Sequence, residues 1–143
     1  GGERLAVVKL LLDTHVVLWW QARHRKLSRN ARREIARADA LLVSAVTCWE
    51  IATLIGQDRV RLDRSLDEWL ADMEREPRVE LVPLSPRAAV QALALSRSGF
   101  HGDPADRLLY ATAADLMVPF CTADARMQEY AAAGEGVPVR IVW

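Results

Sequence analysis

Residues Leu5–Trp20 read LAVVKLLLDTHVVLWW, a hydrophobic run that stops at one carboxylate, Asp13, before Thr14, His15 and a second apolar segment. Near-continuous apolarity with β-branched residues, halted by Asp-Thr, is the pattern of a strand buried on both faces. Such a strand delivers an acid at its C-terminal end, where α/β enzymes bind their ligands. Asp13 also suits the N-cap of the helix that follows. Taken alone, the stretch allows both roles.

Working outward, the same alternation of element types repeats. Further strands are predicted at Ala40–Val46, Val79–Leu84, Leu116–Cys121 and Val137–Trp143, with Pro119 suggesting an imperfect or edge position for the fourth. Between them, helical spacing places helices at His15–Gln21, Arg29–Ala38, Thr47–Ile55, Leu66–Arg75, from Pro86 to about Leu95, Ala105–Ala114 and Ala125–Ala133. Ser28, Ser65, Ser85 and Asp103 precede helices as caps, and Glu68 stands three residues after Ser65 as in a capping box. Strands separated by helices imply an α/β class with a three-layer α/β/α sandwich and a mostly parallel central sheet. No repeat or interdomain linker breaks residues 1–143, so one domain is expected, with residues 1–4 outside its core.

With 51% hydrophobic residues the chain has the material for a core, and 19 basic against 19 acidic residues give no formal net charge. Neutrality removes any global electrostatic case for nucleic-acid binding but leaves room for a local basic face. The segment Arg23–Arg37 supplies one candidate, an RNA-facing or partner-facing surface, with a solvated helix face as the plain alternative. Cys48 and Cys121 sit in apolar segments and read as free thiols of a reducing compartment. Neither a signal peptide nor a membrane span is expected, and the location implied is cytoplasmic.

Three carboxylates, Asp13, Glu50 and Asp124, fall at or within a turn of a predicted strand end. Asp103 and Asp106 open the helix after the polar loop Ser96–Asp106, which also carries His101. Carboxylates drawn together raise one another's pKa unless a cation offsets them. Clustered oxygen ligands without a Cys/His set suit Mg²⁺ or Mn²⁺ better than zinc, and such ions support phosphodiester chemistry. Every one of these acids also has a structural explanation as a cap. Thr14 stands beside the first acid, and Ser44 and Thr122 each precede an acid near a strand end, where a hydroxyl can hold a carboxylate or simply make a turn. His15 and His101 can touch substrate or serve their loops, and Arg107 can reach a phosphate or pair with Asp103. The five tryptophans read as core or interface residues rather than a stacking platform, and no phosphate-binding glycine loop or nucleophile elbow is present.

Four segments in order, LLLDTHVVLWW, VSAVTCWEIA, HGDPADRLLYATA and CTADARM, resemble PIN-domain proteins. More closely they resemble the VapC-type toxins of toxin–antitoxin pairs, in the subgroup with a DTH start and an HxDPxDR loop. The resemblance runs from Leu10 to Trp143 and includes the VRIVW ending. It implies a Mg²⁺- or Mn²⁺-dependent endoribonuclease that cuts tRNA or ribosomal RNA and stops translation. It also implies a homodimer held in a larger assembly by a cognate VapB-type antitoxin, with operator DNA reached only through that antitoxin.

By the same resemblance Asp13, Glu50, Asp106 and Asp124 are catalytic and metal-ligating, and Asp103 joins the metal set through its DP signature. Thr14, Ser44 and Thr122 match positions that support the ligands, and His101 and Arg107 match positions of substrate contact or loop structure. The sequence departs from the subgroup at Gly102, which replaces a common Arg or Lys, and at Ala105, which replaces a bulky aromatic. These changes are expected to loosen the loop or weaken an RNA contact. Two other functions suit the same acids: a non-catalytic PIN-fold protein acting by protein binding, and a metal nuclease with a DNA substrate.

Overall fold

A computed structural model of the chain describes residues 7–100 and 102–143. The expectations for residues 1–4 and for His101 lie outside the described residues. Five strands, β1 (Lys9–Leu12), β2 (Ala40–Ser44), β3 (Val79–Val82), β4 (Phe120–Cys121) and β5 (Ile141–Val142), form one sheet in the order β3-β2-β1-β4-β5. Every pairing is parallel. Seven helices are described: α1 (Thr14–Ala22), α2 (Arg29–Arg37), α3 (Ala45–Gly56), α4 (Leu66–Arg75), α5 (Pro86–Arg97), α6 (Pro104–Leu116) and α7 (Ala125–Ala133). The three-layer arrangement expected from the sequence is the one found.

Alternation along the strands sorts the core into two halves. Leu10, Leu12, Leu41, Val43 and Cys121 face one layer with Val16, Val17, Ile35, Trp69 and Met73. Leu11, Leu42 and Phe120 face the other with Ala88, Leu95, Leu109, Tyr110 and Met127. β1 is therefore apolar on both faces because it is the central strand, covered by helices above and below. The only polar group it leads to is the one at its end.

The boundaries shift in instructive places. The first strand is shorter than its hydrophobic run, for Val7 and Val8 are exposed although the Val8 backbone still pairs with Asp39 and Ala40. β2 stops at Ser44, whose side chain accepts from Val46 N and starts α3 there, earlier than the expected Thr47. β4 is an inner strand, correcting the edge position suggested by Pro119. That proline lies just before the paired residues, so its missing N–H leaves no gap, and its carbonyl accepts from Leu11 N at 3.0 Å. Among the described residues no helix is long and apolar enough to cross a membrane, and both cysteines are free.

The loop before α6 is pinned by aromatic packing. Phe100 lies 5.3 Å from Tyr110 and 5.1 Å from Tyr130, and Tyr130 Oη bonds Ser98 Oγ at 2.6 Å. Gly102 sits against this cluster with no room for a side chain: a Cβ there would collide with the Phe100 ring and stand 2.8 Å from Asp106 Cβ. The loosening expected of Gly102 is thus reversed, since the glycine permits a closer approach. Gly102→Ala should cost about 1–3 kcal/mol through overpacking, read as a lower urea midpoint. An unchanged midpoint would show that the loop yields freely.

Candidate active site

All five strands point their C-terminal ends to one edge of the sheet, and the acids collect there. Asp13 continues the ladder beyond β1, its N–H donating to Cys121 O at 3.0 Å. Its Oδ1 accepts from Thr14 N at 2.8 Å and its Oδ2 from Thr122 Oγ1 at 2.7 Å. Asp13 is therefore both the N-cap of α1 and an acid at the strand end, and the two readings of the sequence merge. At 8% exposure it has lost most of its hydration. Burial raises its pKa from 3.8 to about 6, against the lowering effect of the Thr122 and Thr14 hydrogen bonds and with a smaller push from the Glu50 charge.

Glu50 lies six residues past Ser44, in the second turn of α3, further from its strand than the sequence suggested. The Thr14 hydroxyl ties it down, bonding the Glu50 carboxylate and standing 3.2 Å from Thr47 Oγ1. Partial burial raises its pKa, and the Asp103 charge adds to the rise. Asp103 and Asp106 form a reciprocal capping box at the start of α6: Asp106 N donates to Asp103 Oδ1 at 2.8 Å, and Asp103 N donates to Asp106 Oδ2 at 3.3 Å. Burial, with the charges of Asp103, Asp13 and Asp124, lifts Asp106 to about 7. Asp124 caps α7 through Arg126 N and Met127 N, while its own N–H donates to Thr122 Oγ1. Thr122 thereby joins Asp13 to Asp124.

One cation reaches into the group. Arg126 Nη2 stands 3.6 Å from Asp106 Oδ2 and 3.3 Å from Asp124 Oδ2. Sequence reading missed this residue and also Thr47, which is fully buried. Spacing gave a hint for each, since Thr47 precedes Glu50 by three residues on one helix face and Arg126 follows Asp124 by two. Ser44 Oγ accepts from Val46 N and so starts α3, where the strand-to-helix turn leaves that N–H in need of an acceptor. Arg107 Nη1 donates to Gly102 O at 3.1 Å, the loop contact that was one of its two expected roles.

The donor set is carboxylate oxygen throughout, which suits a hard divalent cation. Among the described residues no three acid, imidazole or thiol groups converge as a ready-made ion cage. Each carboxylate is turned toward a hydrogen-bond partner of its own. The fit to a cation rests on donor chemistry and on burial, for Asp13 and Asp106 are raised first by loss of hydration and only then by the charges of neighbouring carboxylates.

The PIN domain family model matches residues 10–133 of the chain, and so embraces every one of these acids. The chain belongs to the PIN-domain family. This PIN domain is 40% identical over 121 residues to Ribonuclease VapC22 of Mycobacterium tuberculosis, covering 85% of the chain and 91% of that protein. Its fold is similar to those in two solved complexes. One is VapBC2 from Rickettsia felis bound to a DNA fragment from their promoter, with a TM-score of 0.64, 13% identity and coverage of 95% and 100% of the two chains. The other is DNA-bound VapBC from Salmonella typhimurium, with a TM-score of 0.61, 24% identity and coverage of 94% and 96%.

Proposed function

We propose that this PIN domain is a Mg²⁺- or Mn²⁺-dependent endoribonuclease, the toxin of a toxin–antitoxin pair, cutting tRNA or ribosomal RNA and so inhibiting translation. The observation that supports the reading best is that Asp13, Glu50 and Asp106 at the C-terminal edge of the sheet are each raised by burial, with the charges of Asp13, Glu50, Asp103 and Asp124 adding to the rise. It occurs in a chain 40% identical to a ribonuclease over most of its length.

Asp13, Glu50, Asp106 and Asp124, with Asp103 beside them, would hold the ion. When bound, such an ion neutralises charge on a phosphodiester and makes water a better nucleophile at neutral pH. The chain's own part is positioning. Thr122 fixes Asp13, Thr14 bonds Glu50 and Thr47 in turn meets Thr14, and the capping box fixes Asp103 against Asp106. Arg126 supplies positive charge to Asp106 and Asp124.

Partners follow the same reading: a cognate VapB-type antitoxin, operator DNA through that antitoxin, and a second copy of the toxin, in the cytoplasm. A cavity of about 260 Å³ with an apolar floor of Leu27 and Ile35 and a rim of Arg23, Arg32 and Arg78 supports antitoxin docking near the arginine segment. The deciding experiment maps RNA ends in cells after pulsed expression. Discrete new ends in tRNA or ribosomal RNA are expected, and growth arrest with an unchanged RNA population would refute the proposal.

A smaller effect is expected at Thr122. Replacing it with Val removes the hydroxyl that holds Asp13 and should lower cleavage by roughly 10–100-fold, the usual cost of losing a ligand's supporting partner. A T122V protein cutting at the wild-type rate would show that Asp13 needs no such support.

A further inference from the structure

Of the five tryptophans, Trp49 alone is exposed, with 63% of its surface in water. A large aromatic side chain exposed beside a candidate active site offers a flat apolar face for contact. Trp49 adjoins Glu50 in sequence, and both line a cavity of about 240 Å³ with Arg59, Asp103 and Ala105. The cavity lies between α3 and the start of α6, and Ala105 offers only a methyl group there. It is smaller than the roughly 300 Å³ at which drug-sized ligands begin. Two of its walls, Glu50 and Asp103, belong to the candidate active site, so whatever fills it is continuous with what lies on the carboxylates. Arg59 also borders a second groove with His15, Arg61 and Asp63, where Arg64 is paired with Asp63 and Asp72.

The geometry points to a nucleotide subsite: one unpaired base, next to the scissile phosphate, stacks on Trp49 in the space left by Ala105, with Arg59 facing the backbone. The inference rests on the ribonuclease reading and refines it, since it names the side chain that holds a base beside the scissile phosphate. Stacking an unpaired base on an aromatic ring is how proteins hold single-stranded RNA. The loop after α3, through Arg59, then serves the RNA, apart from the arginine segment given to the antitoxin.

The test uses a short fluorescent single-stranded RNA of mixed sequence and the full chain carrying Asp13→Asn, which keeps the RNA intact. Adding Trp49→Ala should weaken binding by about 5- to 100-fold, the range for losing one stacked base, whereas Trp49→Phe should keep most of it. Ala105→Phe, which fills the cavity and leaves the indole in the chain, should weaken binding to a similar degree. An abasic site at the stacked position should penalise the parent and leave the Trp49→Ala protein unaffected. If W49A and A105F bind like the parent, the subsite is refuted while the ribonuclease reading stands on its own cleavage result. If W49A binds RNA normally but loses a copurifying protein, Trp49 is a protein contact and the subsite is refuted as well. A wild-type chain that neither binds nor cuts RNA would refute the ribonuclease reading itself, and the subsite with it.

Discussion

Asp13→Asn is expected to abolish RNA cleavage while leaving the fold in place. The residue sits at the end of the central strand and receives Thr14 N on one oxygen and Thr122 Oγ1 on the other. Asparagine keeps an oxygen for the Thr14 N–H, so α1 retains its cap. What it removes is the negative charge that only a cation can fully offset in so buried a place. Loss of a supporting partner costs roughly 10–100-fold, and loss of the ligand itself should exceed that. The measurement is the rate of cleavage of a defined RNA in Mg²⁺ or Mn²⁺, with circular dichroism to confirm folding. Cleavage by folded D13N at the wild-type rate would remove Asp13 from the reaction.

The second large effect is on stability. Asp13 is held at about 6 and Asp106 at about 7, both above their ordinary 3.8. A carboxyl that binds its proton more tightly folded than unfolded contributes stability that is full below its unfolded pKa and lost as pH rises through the folded one. The window therefore runs from about pH 4 to about pH 7. For Asp13 alone the rise corresponds to about 3 kcal/mol at about 1.4 kcal/mol per pH unit. Asp106→Asn removes one of the two groups and keeps an oxygen for the Asp103 N–H. In EDTA, the stability of D106N relative to wild type should increase by about 2–4 kcal/mol between pH 4.5 and 8. Adding Mn²⁺ at pH 7.5 should raise the wild-type melting temperature and move D106N far less. A stability difference that stays flat across this range would mean that Asp106 is not raised by its burial and its neighbours.

Much of this was written locally. The run through Leu10–Leu12 stops at Asp13 because a strand covered on both faces has no place for a charge until it leaves the sheet. Ser28, Ser65, Ser85 and Asp103 each cap the helix they were expected to cap, since a cap needs only its own next three residues. Ser44 likewise caps α3 through Val46 N, a local task that the apolar run through Ala40–Val46 hid. Gly102 looked permissive in sequence because a missing side chain suggests slack, whereas the neighbouring Phe100 and Asp106 have closed in on it.

The sequence by itself determined the order of strands and helices, the central apolar strand and the place of Asp13 and Asp124 just beyond strand ends. Periodicity and capping are properties of neighbours along the chain, so they are legible without a fold. Only the tertiary structure decided the strand order, which puts β4 beside β1 and so brings Thr122 to Asp13 across 109 residues. It also decided that Thr14 meets Glu50, that Arg126 reaches Asp106, and that Trp49 stays in water. The physical reason is that an apolar pattern shows which face must be covered but not which element covers it. The charges around Asp13 depend on that second choice.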